Sequence, residues 1–492
     1  MRRLGQWLPA MLALLALVLP AAAWAQQSPA APAQPTRDGG DVTLFVRNTI
    51  RVEHWRFFEP RAGGGDPVYT TFGFRLLAGV RQTRPRFEWT AAAQYVQFGG
   101  LPERSIGPGP LGTGATYFDH QRETNPGHVY LRLANLQVRN VLPGLHIRGG
   151  RMPYTSGAET PSGDAAIEAV KRQRLDSRLV GEFEWSMYQR TFDGARADWR
   201  AADRVHVTAS ALWPTQGGFE AHAGASLADV RVAGGTVDLL PSASRPHTQL
   251  QGFVFAYDDT REVTARPDNT FRPAAAADIS LRTFGGSIVG VYPAGAGRLD
   301  ALGWFALQRG DWYDASHRAT AFALEAGHQW TGSPGAPWLR AGWNRASGDG
   351  DPGDDEHATF FPMLPTARKY ALSATYTSMN VDDRFAQILA RPHARVSLRA
   401  DVHHLRLVED ADLWYAGSGA TRRSGAIFGY AGRRSGGNRT LGTIVEGAVD
   451  VNILPQWSVN AYAGWMRGGD VVRSLFAENR LTFAYFENVL QF

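Results

Sequence analysis

Alternation between apolar and polar residues, repeated from Asp41 almost to the C-terminus, is the feature that most constrains the fold of this 492-residue chain. In the stretch VTLFVRNTIRVE, Leu44 and Val46 fall in one phase, whereas Arg47 and Arg51 fall in the other. Successive side chains of a β-strand point to opposite faces, so the pattern predicts strands with one apolar and one polar face. The runs are about ten residues long, the length of a tilted strand that crosses a membrane. Further runs of this kind occupy residues 72–81, 205–213, 396–403 and 459–465.

Short joints between the runs alternate with long polar ones. The compact joints are QTRP, NVLPG, RAAD, YPAGAGR, TGSPGAP and NILPQ, and the long segments follow Phe98, Met152, Tyr257, Arg345, Glu409 and Arg467. Short turns on one side and long loops on the other are typical of outer-membrane barrels. We predict an all-β fold, a transmembrane antiparallel up-and-down barrel with both termini on the short-turn side. The expected number of strands is about 18, and 16 is the alternative. A barrel of this size encloses an aqueous channel.

A soluble β-sandwich, lectin or propeller is the alternative architecture, since these folds also contain many alternating strands. Three features favour the membrane barrel. The strands are long, they persist over the whole chain after the leader, and tryptophans lie near strand ends, where an interfacial aromatic girdle is expected. These tryptophans are Trp213, Trp330, Trp457 and Trp465.

The N-terminal segment has the pattern of a secretory signal peptide, predicted over residues 1–25. A basic start, MRRLGQW, precedes the short apolar core MLALLALVLP and the small-residue end AAAWA. The alternative, a membrane anchor, needs roughly 20 apolar residues, and this core is shorter. Residues 26–40, rich in Pro, Ala and Gln, are predicted to form a flexible periplasmic leader, and residues 41–492 the barrel. No later stretch has 18 consecutive apolar residues, which excludes a helical membrane protein.

Composition supports export to a Gram-negative outer membrane and argues against nucleic acid as a partner. The chain contains no cysteine, so it does not depend on disulfides. Of its 51 basic residues only Lys171 and Lys369 are lysines. The formal charge of +5 falls to +3 once Arg2 and Arg3 leave with the signal peptide, which is too balanced for a nucleic-acid-binding surface.

Sequence motifs for catalysis or cofactor binding are absent or fail in context, so no enzyme activity, catalytic residue or cofactor is predicted. Gly107 to Gly112 match G-x-G-x-x-G, but the prolines among them oppose the helix that a dinucleotide site requires, so this stretch is predicted as a loop. No P-loop, H-E-x-x-H or G-x-S-x-G motif occurs.

The acidic run SGDGDPGDDE is the one candidate metal site, with Asp349, Asp351 and Asp354 as possible Ca²⁺ ligands in an extracellular loop. It departs from the EF-hand template at Gly353 and Phe360, and a solvated acidic loop is the alternative. His403 and His404 are adjacent on a predicted strand, so they should point to opposite faces and cannot chelate one ion together.

Arginines dominate the polar phase of the predicted strands. If the apolar phase faces lipid, the lumen receives Arg47, Arg51, Arg75, Arg81, Arg132, Arg148, Arg340 and Arg399. A single arginine about 7 Å from a carboxylate in water contributes roughly 0.6 kcal/mol, so several in succession form weak sites that suit a passing polyanion. The alternative is that these arginines pair with carboxylates in the same phase, namely Glu53, Asp401, Glu446 and Asp450.

Five segments in order along the chain resemble the alginate-export family of outer-membrane porins. They are GGRMPY, RLVGEFEWSMYQRTFDGARADW, RASGDGDPGDDEHATFFPMLPTARKY, RADVHHLRLVEDADLWYA and TFAYFENVLQF. The resemblance implies an 18-stranded monomeric barrel that exports a polyuronate, or lets it diffuse, through an arginine-rich constriction. The site positions that it implies are Arg151, Arg178, Arg190, Asp193 and Arg196.

Two features of this chain differ from the family pattern. The gap between Arg151 and Arg178 is long, and within it AAIEAVKRQR is predicted as a short helix with Asp164 as its N-cap, folded into the lumen or lying on the rim. In addition, Arg190, Phe192 and Arg196 are at even-numbered positions and should share one face of a strand, whereas Asp193 should lie on the other face. We therefore expect Phe192 to face the lumen with the two arginines.

The functional hypothesis from the sequence is a passive outer-membrane channel for an anionic polysaccharide. A general or sugar-acid uptake porin is the alternative with the same fold, and a barrel enzyme or an adhesive surface barrel are alternatives of other classes. Expected partners are outer-membrane lipid, the polysaccharide and periplasmic export machinery. Outer-membrane barrels commonly end in an aromatic that assembly machinery recognises, and we expect Phe492 to have this role. Asn488 is an exception in the apolar phase of the last strand.

Overall fold

The computed structural model describes residues 42–61, 65–105, 113–219, 222–270 and 272–492, and in these ranges 18 antiparallel strands close into a barrel. The strands are β1 (Val42–Arg56), β2 (Val68–Thr83), β3 (Phe87–Gly99), β4 (Gly127–Leu142), β5 (Leu145–Met152), β6 (Phe192–Ala202), β7 (Val205–Pro214), β8 (Val230–Leu239), β9 (Thr248–Asp259), β10 (Ile279–Ala294), β11 (Gly297–Trp312), β12 (Ala315–Gln329), β13 (Trp338–Ala346), β14 (Val381–His393), β15 (Val396–Leu407), β16 (Thr440–Leu454), β17 (Trp457–Gly468) and β18 (Arg480–Gln491). The predicted fold and strand number are confirmed. The predicted signal peptide, the leader and the Gly107 to Gly112 loop lie outside the described residues.

Closure of the barrel is made by the first and last strands. Strand β1 pairs with β2 on one side and with β18 on the other, with Ile50 opposite Asn488. At the very end of the chain, the Phe492 N–H donates to the Val46 carbonyl at 2.8 Å, and the Val46 N–H donates to the Phe492 carbonyl at 3.0 Å. The sheet therefore has no free edge at this seam.

Connections alternate between short and long, as predicted. The short joints are 84–86, 143–144, 203–204, 240–247, 295–296, 330–337, 394–395 and 455–456, on the side of both described ends. The opposite connections are 57–67, 100–126, 153–191, 215–229, 260–278, 313–314, 347–380, 408–439 and 469–479. The short side corresponds to the periplasm and the long side to the cell exterior. The two-residue outer turn 313–314 departs from the pattern.

The two strand phases differ in exposure. Outward side chains such as Leu44 and Phe72 are exposed to the membrane side, whereas Thr49 and Arg51 in the other phase are buried inside the barrel. Their burial shows that the lumen contains protein, because wall residues beside open water would be accessible. His403 is buried and His404 is exposed, on opposite faces as expected.

The aromatic residues in the lumen phase of β18 pack against this interior. Phe483 stacks on Trp55 with ring centroids 4.0 Å apart, and Tyr485 lies 6.1 Å from Trp185. Asn488, the exception in the outward phase, accepts a hydrogen bond from Trp457 Nε1 at 2.6 Å. Its polar group is therefore partnered at the membrane surface.

Helices are few and short in the described chain. They are α1 (Thr113–Gln121), α2 (Ala165–Val170), which continues as a π-helical turn (Lys171–Leu175), α3 (Asp470–Leu475) and a 3₁₀ turn (Ala367–Lys369). Short strands outside the barrel are Glu262–Val263 beside Ser424–Gly425, Leu413–Gly417 beside Tyr430–Arg434, and Glu356–His357 beside β12. None of the described helices combines the length and apolar character needed to cross a bilayer.

Candidate functional site

The long connection 153–191, here called the inward segment, enters the lumen instead of lying on the rim. Asp164 caps helix α2, as predicted, and accepts a hydrogen bond from the Ala166 N–H at 2.8 Å. Ile167 and Val170 are buried on the helix face. Lys171 Nζ donates to Gln249 Oε1 on β9 at 3.2 Å, so the helix end is attached to the barrel wall.

A buried carboxylate on the wall binds the middle of the inward segment. Glu325 on β12 lies 3.0 Å from Arg174 and 2.9 Å from Arg178, both of which belong to the segment. Arg340 of β13 approaches the same carboxylate at 3.4 Å and pairs with Asp300 at 3.0 Å. Burial of ionic groups is costly unless they are paired and hydrogen-bonded, and here Glu325 is shared by three guanidinium groups. The arrangement fastens the segment to the wall.

On the opposite wall, predicted pore arginines bind the backbone of the same segment. Arg51 Nη1 donates to the Trp185 carbonyl at 2.8 Å, and Arg75 Nη1 donates to the Ser186 carbonyl at 3.0 Å. Arg132 Nη1 donates to the Arg190 carbonyl at 2.7 Å. These donors satisfy carbonyls of non-helical backbone within the lumen. In this structure, Arg51, Arg75 and Arg132 position the inward segment.

The inward segment also carries a carboxylate beside Arg132. Glu182 Oε2 lies 3.0 Å from Arg132 Nη2. Burial raises the pKa of Glu182, and the positive charge of Arg132 opposes this rise. Arg190, further along the segment, is fully buried and donates to the carbonyls of Leu364 and Ser418. Burial lowers the pKa of Arg190 to about 10, because the charged guanidinium loses hydration there.

A second connection, residues 347–380, also enters the lumen and joins the first; we call it the second inward segment. The Leu364 N–H donates to the Leu179 carbonyl at 2.9 Å, and the Thr366 N–H donates to the Ser177 carbonyl at 3.0 Å. The Ser373 N–H donates at 2.9 Å to Glu446 on β16. The two segments are therefore joined to each other and to the barrel wall.

Between the two segments and the wall lies a cavity of about 220 Å³, here called the basic cavity. Its lining contains four cationic residues and one carboxylate, and is completed by uncharged side chains. The residues are Arg172, Gln173, Glu184, Trp185, Thr366, Arg368, Lys369, Leu372 and Arg399. The strand position of Arg399, close to the inner turn 394–395, places the cavity towards the periplasmic end of the lumen.

The cations of the basic cavity are held in different ways. Arg368 lies over the Trp185 ring at 4.3 Å and over the Tyr485 ring at 5.1 Å, which fixes a charged group without neutralising it. Lys369 pairs with Asp176, and Arg399 Nε pairs with Asp401 at 2.5 Å. Among the described residues, Arg172 has no ion-pair partner, nor has Arg368. The cavity therefore contains two cationic groups that no carboxylate of the described residues neutralises.

Three carboxylate and histidine side chains converge next to Arg399. Asp401, His403 and Glu446 each place a ligand atom within 4.8 Å of the others. His403 Nδ1 faces Asp383 Oδ1 at 2.9 Å, and Glu446 accepts N–H bonds from the second inward segment. Arg399 supplies a positive partner for this acidic group, so the cluster joins wall strands to the second inward segment.

Three more of the predicted site residues, Arg47, Arg148 and Arg196, lie on the lumen side of the wall strands. Arg196 pairs with Asp198 at 2.6 Å on β6, with Arg148 opposite it on β5. Phe192 is fully buried in the same phase as Arg196, as expected. Arg47 is only partly buried, on the lumen side of β1.

Arg151 and Asp193 differ from the remaining predicted pore residues. They pair with each other at 2.7 Å, opposite one another on β5 and β6. Asp193 lies in the phase of Trp199, whose ring is exposed on the membrane side. Arg151 also donates to the Gly224 carbonyl at 2.6 Å. The pair thus ties the outer ends of two strands to a neighbouring connection. It lies in the outward phase, so it does not line the lumen as the sequence predicted.

Sequence periodicity did not identify Arg172, Arg368 or Lys369 as site residues. They lie in connections with no strand periodicity, where alternation gives no information about direction. The sequence nevertheless contains a basic cluster in each connection, VKRQR in the inward segment and TARKY in the second inward segment. Both lysines of the chain, Lys171 and Lys369, belong to the inward segments.

The acidic run that was considered for Ca²⁺ forms a series of side-chain to backbone turns. Asp349 accepts from the Asp351 N–H at 3.1 Å, and Asp354 accepts from the Glu356 N–H at 2.9 Å. Asp349 is buried, and its N–H donates to Asp412 at 2.9 Å. Within the described ranges, the convergent group of three possible ligands is the one at Asp401, not this run.

The closed barrel, its exposed apolar outer face and its charged lumen define a multi-pass outer-membrane channel of the porin class. The alginate export family model matches residues 170–480, well over half of the chain. The protein therefore belongs to the alginate export family. The resemblance inferred from the sequence is confirmed.

Solved structures agree on the fold. The chain is similar to a BenF-like porin from Pseudomonas fluorescens, with 9% identity and a TM-score of 0.58, over 92% of this chain and 98% of that one. It is also similar to OpdK from Pseudomonas aeruginosa crystallised with vanillate, with 10% identity and a TM-score of 0.54, over 91% of this chain and 98% of that one. At such identities the likeness concerns the fold alone. No curated protein sequence matches this chain.

Proposed function

We propose that this protein is a passive outer-membrane channel for an anionic polysaccharide, an alginate-like polyuronate or its oligomers. The observation that carries the proposal is the basic cavity, whose lining has four cationic residues and one carboxylate. Membership of the alginate export family supports the same substrate class. A polyuronate presents a carboxylate on each sugar, and an arginine side chain offers that group a planar pair of donors.

The strength of such contacts suits passage through the channel. In water, a cation 4 Å from a carboxylate gains about 1 kcal/mol, and a more distant cation gains less. Arg172 and Arg368 have no ion-pair partner among the described residues, so neither must break one to receive the substrate. Binding at successive weak sites admits a polyanion and also lets it leave. In this proposal the barrel works as a monomer and receives polymer from periplasmic export machinery.

Uptake or diffusion of small anionic solutes, such as sugar acids, is the second candidate. The size of the basic cavity favours it, since about 220 Å³ is below the roughly 300–1,000 Å³ of pockets that bury drug-sized ligands. The inward segments also fill much of the lumen near Arg174 and Arg178. A small carboxylate would fit this space without movement of either segment.

Planar-bilayer recordings test the proposal. The wild-type channel should select anions over cations, and a polyuronate added on the periplasmic side should block its current. The cavity variant Arg172→Gln/Arg368→Gln/Lys369→Gln should lose most of both effects. A matched control, Arg84→Gln/Arg86→Gln/Arg391→Gln, removes three charges near the inner turns and should keep both. Cation selectivity, or a current indifferent to the polymer, would exclude the proposed function.

Liposome swelling separates the two candidates. A polymer channel should be blocked by long polyuronate, and a neutral polysaccharide of equal length should have little effect. A small-solute porin should pass the monomeric uronate rapidly and show no length-dependent block. The cavity variant should slow monomer flux only if the same cations serve uptake.

A further inference from the structure

Three arginines lie side by side on the outer surface of the barrel, near its extracellular end. Arg282 on β10 is directly opposite Arg309 on β11, and Arg309 is directly opposite Arg318 on β12. All three side chains are exposed in the phase that faces the membrane. We call them the outer arginine row.

Like charges in this arrangement repel one another. Directly opposite residues of an antiparallel pair have Cβ atoms about 4.5–5.5 Å apart, and like charges there are destabilising. Arg282 has a partial partner, Asp258, at 3.2 Å. Within the described part of the chain, Arg309 and Arg318 have no ion-pair partner. Asp311 is exposed two residues along β11 but forms no ion pair with the row in the described structure. An anion from outside the chain would therefore lower the repulsion within the row.

The depth of the row indicates where that anion comes from. Immediately towards the periplasm, the same outward phase continues with Phe284 opposite Leu307, both exposed. It stays apolar as far as Tyr292, near the inner turn. The eight steps from Phe284 to Tyr292 span about 27 Å along the strand, or about 20 Å across the membrane at a tilt of about 40°. That height is close to the apolar band of about 25 Å, so the row lies at its outer boundary, beside the lipid headgroups.

A second group of exposed arginines, which includes an aspartate, lies further around the barrel. Arg345 on β13 is opposite Asp382 on β14, and Asp382 is opposite Arg406 on β15. With Arg384 and Arg439 they line a surface cavity of about 150 Å³. Neither Arg345 nor Arg406 has an ion-pair partner in the described ranges. Arg384 lies 5.6 Å from the ring of the outward-facing Trp343, which places this group near an interfacial aromatic.

We propose that the outer arginine row binds the phosphate groups of a phosphorylated outer-leaflet lipid headgroup. Arginine forms paired, charge-assisted hydrogen bonds with phosphate oxygens, and three adjacent guanidinium groups match a headgroup that carries more than one phosphate. The lipid acyl chains would then lie on the apolar face below, along Phe284, Leu307 and Phe305. This binding site is separate from the lumen and does not depend on the solute that the channel conducts.

The test uses the full barrel in neutral detergent micelles with lipid A as the probe. The row variant is Arg282→Gln/Arg309→Gln/Arg318→Gln, and the control is again Arg84→Gln/Arg86→Gln/Arg391→Gln. Diphosphorylated lipid A should bind the wild type and the control with similar affinity and raise their melting temperatures. Loss of affinity in the row variant should be about fivefold per arginine, on the order of a hundredfold in all.

Three further arms decide the outcome. Without lipid A, the row variant should melt at or above the wild-type temperature, since its charge repulsion is gone, and this shows that it folds. Dephosphorylated lipid A should stabilise neither protein. Inorganic phosphate at the same concentration should give little stabilisation. Equal binding of diphosphorylated lipid A by the row variant, or equal effects of dephosphorylated lipid A or inorganic phosphate on the wild type, would overturn the proposal.

Discussion

Arg174 and Glu325 form an ion pair of 3.0 Å between the inward segment and strand β12, and neither side chain reaches solvent. The pair links a long outer connection to the interior wall of the barrel. Arg51 and Arg75 bind the same connection from the opposite wall. One connection is thus held between two walls inside the lumen.

Substitution Glu325→Gln should release the inward segment. The change leaves Arg174, Arg178 and Arg340 close together without a shared counter-charge, and removing one partner of a buried pair typically costs about 3–5 kcal/mol. We expect a larger single-channel conductance with more frequent fluctuations. Glu356→Gln, at an exposed position of an outer connection, is the control. Unchanged conductance in Glu325→Gln would show that the pair does not hold the segment.

The pair between Arg51 and Glu487 should stabilise the closing seam. The two residues are opposite one another on β1 and β18, and Arg51 Nε donates to Glu487 at 2.7 Å. Arg51→Met should lower the free energy of unfolding by about 3–5 kcal/mol, because Glu487 loses its buried partner. In a heat-modifiability gel, the band of the folded barrel should therefore disappear at a lower temperature than in the wild type. Arg56→Met, an exposed position on the same strand, should leave that temperature nearly unchanged. An equal effect of both substitutions would contradict a specific role for the seam pair.

Packing of the outer connections should weaken as the pH rises from about 4 to about 6. Burial raises the pKa of Asp412 to about 6 and that of Asp349 also to about 6, above the unfolded value near 4. The folded state binds the protons of these two carboxyl groups more tightly than the unfolded state does. Their contribution to the free energy of unfolding is therefore complete below about pH 4, falls as the pH rises to about 6, and changes little at higher pH. Hydrogen exchange at residues 347–359 and 412–415, corrected for intrinsic rates, should show more protection at pH 4.5 than at pH 7.5.

Asp412→Asn provides the control for this pH dependence. The amide cannot ionise, so the part of the difference that comes from Asp412 should disappear in these residues, and the part that comes from Asp349 should remain. Thr359 and Tyr415 donate to Asp412 at 2.6 Å each, and an amide oxygen can retain some of this bonding. Protection that increases with pH would have the opposite sign and would refute the assignment.

Substitution Phe492→Ser should affect assembly more than stability. The closing hydrogen bonds of Phe492 with Val46 are made by the backbone and persist after the change. Phe492 as a whole is 73% exposed, so little packing inside the protein is lost. We expect a several-fold lower yield in the outer membrane of cells, with a melting temperature of the refolded protein within a few degrees of wild type. A large drop in that temperature would indicate a structural role instead.

Local periodicity was sufficient to predict the barrel. The alternation around Arg47 and Arg51 identifies which face of β1 is polar, because side-chain direction in a strand follows from the position of each residue in the chain. Turn residues separate the strands and alternate with long connections, and this predicted 18 strands. The Asp164 N-cap was predicted for the same reason, since a cap depends on residues within one helical turn.

Only the tertiary structure decided what the lumen arginines contact. Arg51, Arg75 and Arg132 face the interior as the alternation indicates, but their partners are carbonyls more than fifty residues away along the chain. The cations of the basic cavity, among them Arg172 and Arg368, belong to connections without a repeating pattern. Their directions depend on how two long segments pack against each other and against the wall, which is a non-local balance of burial, hydrogen bonding and charge.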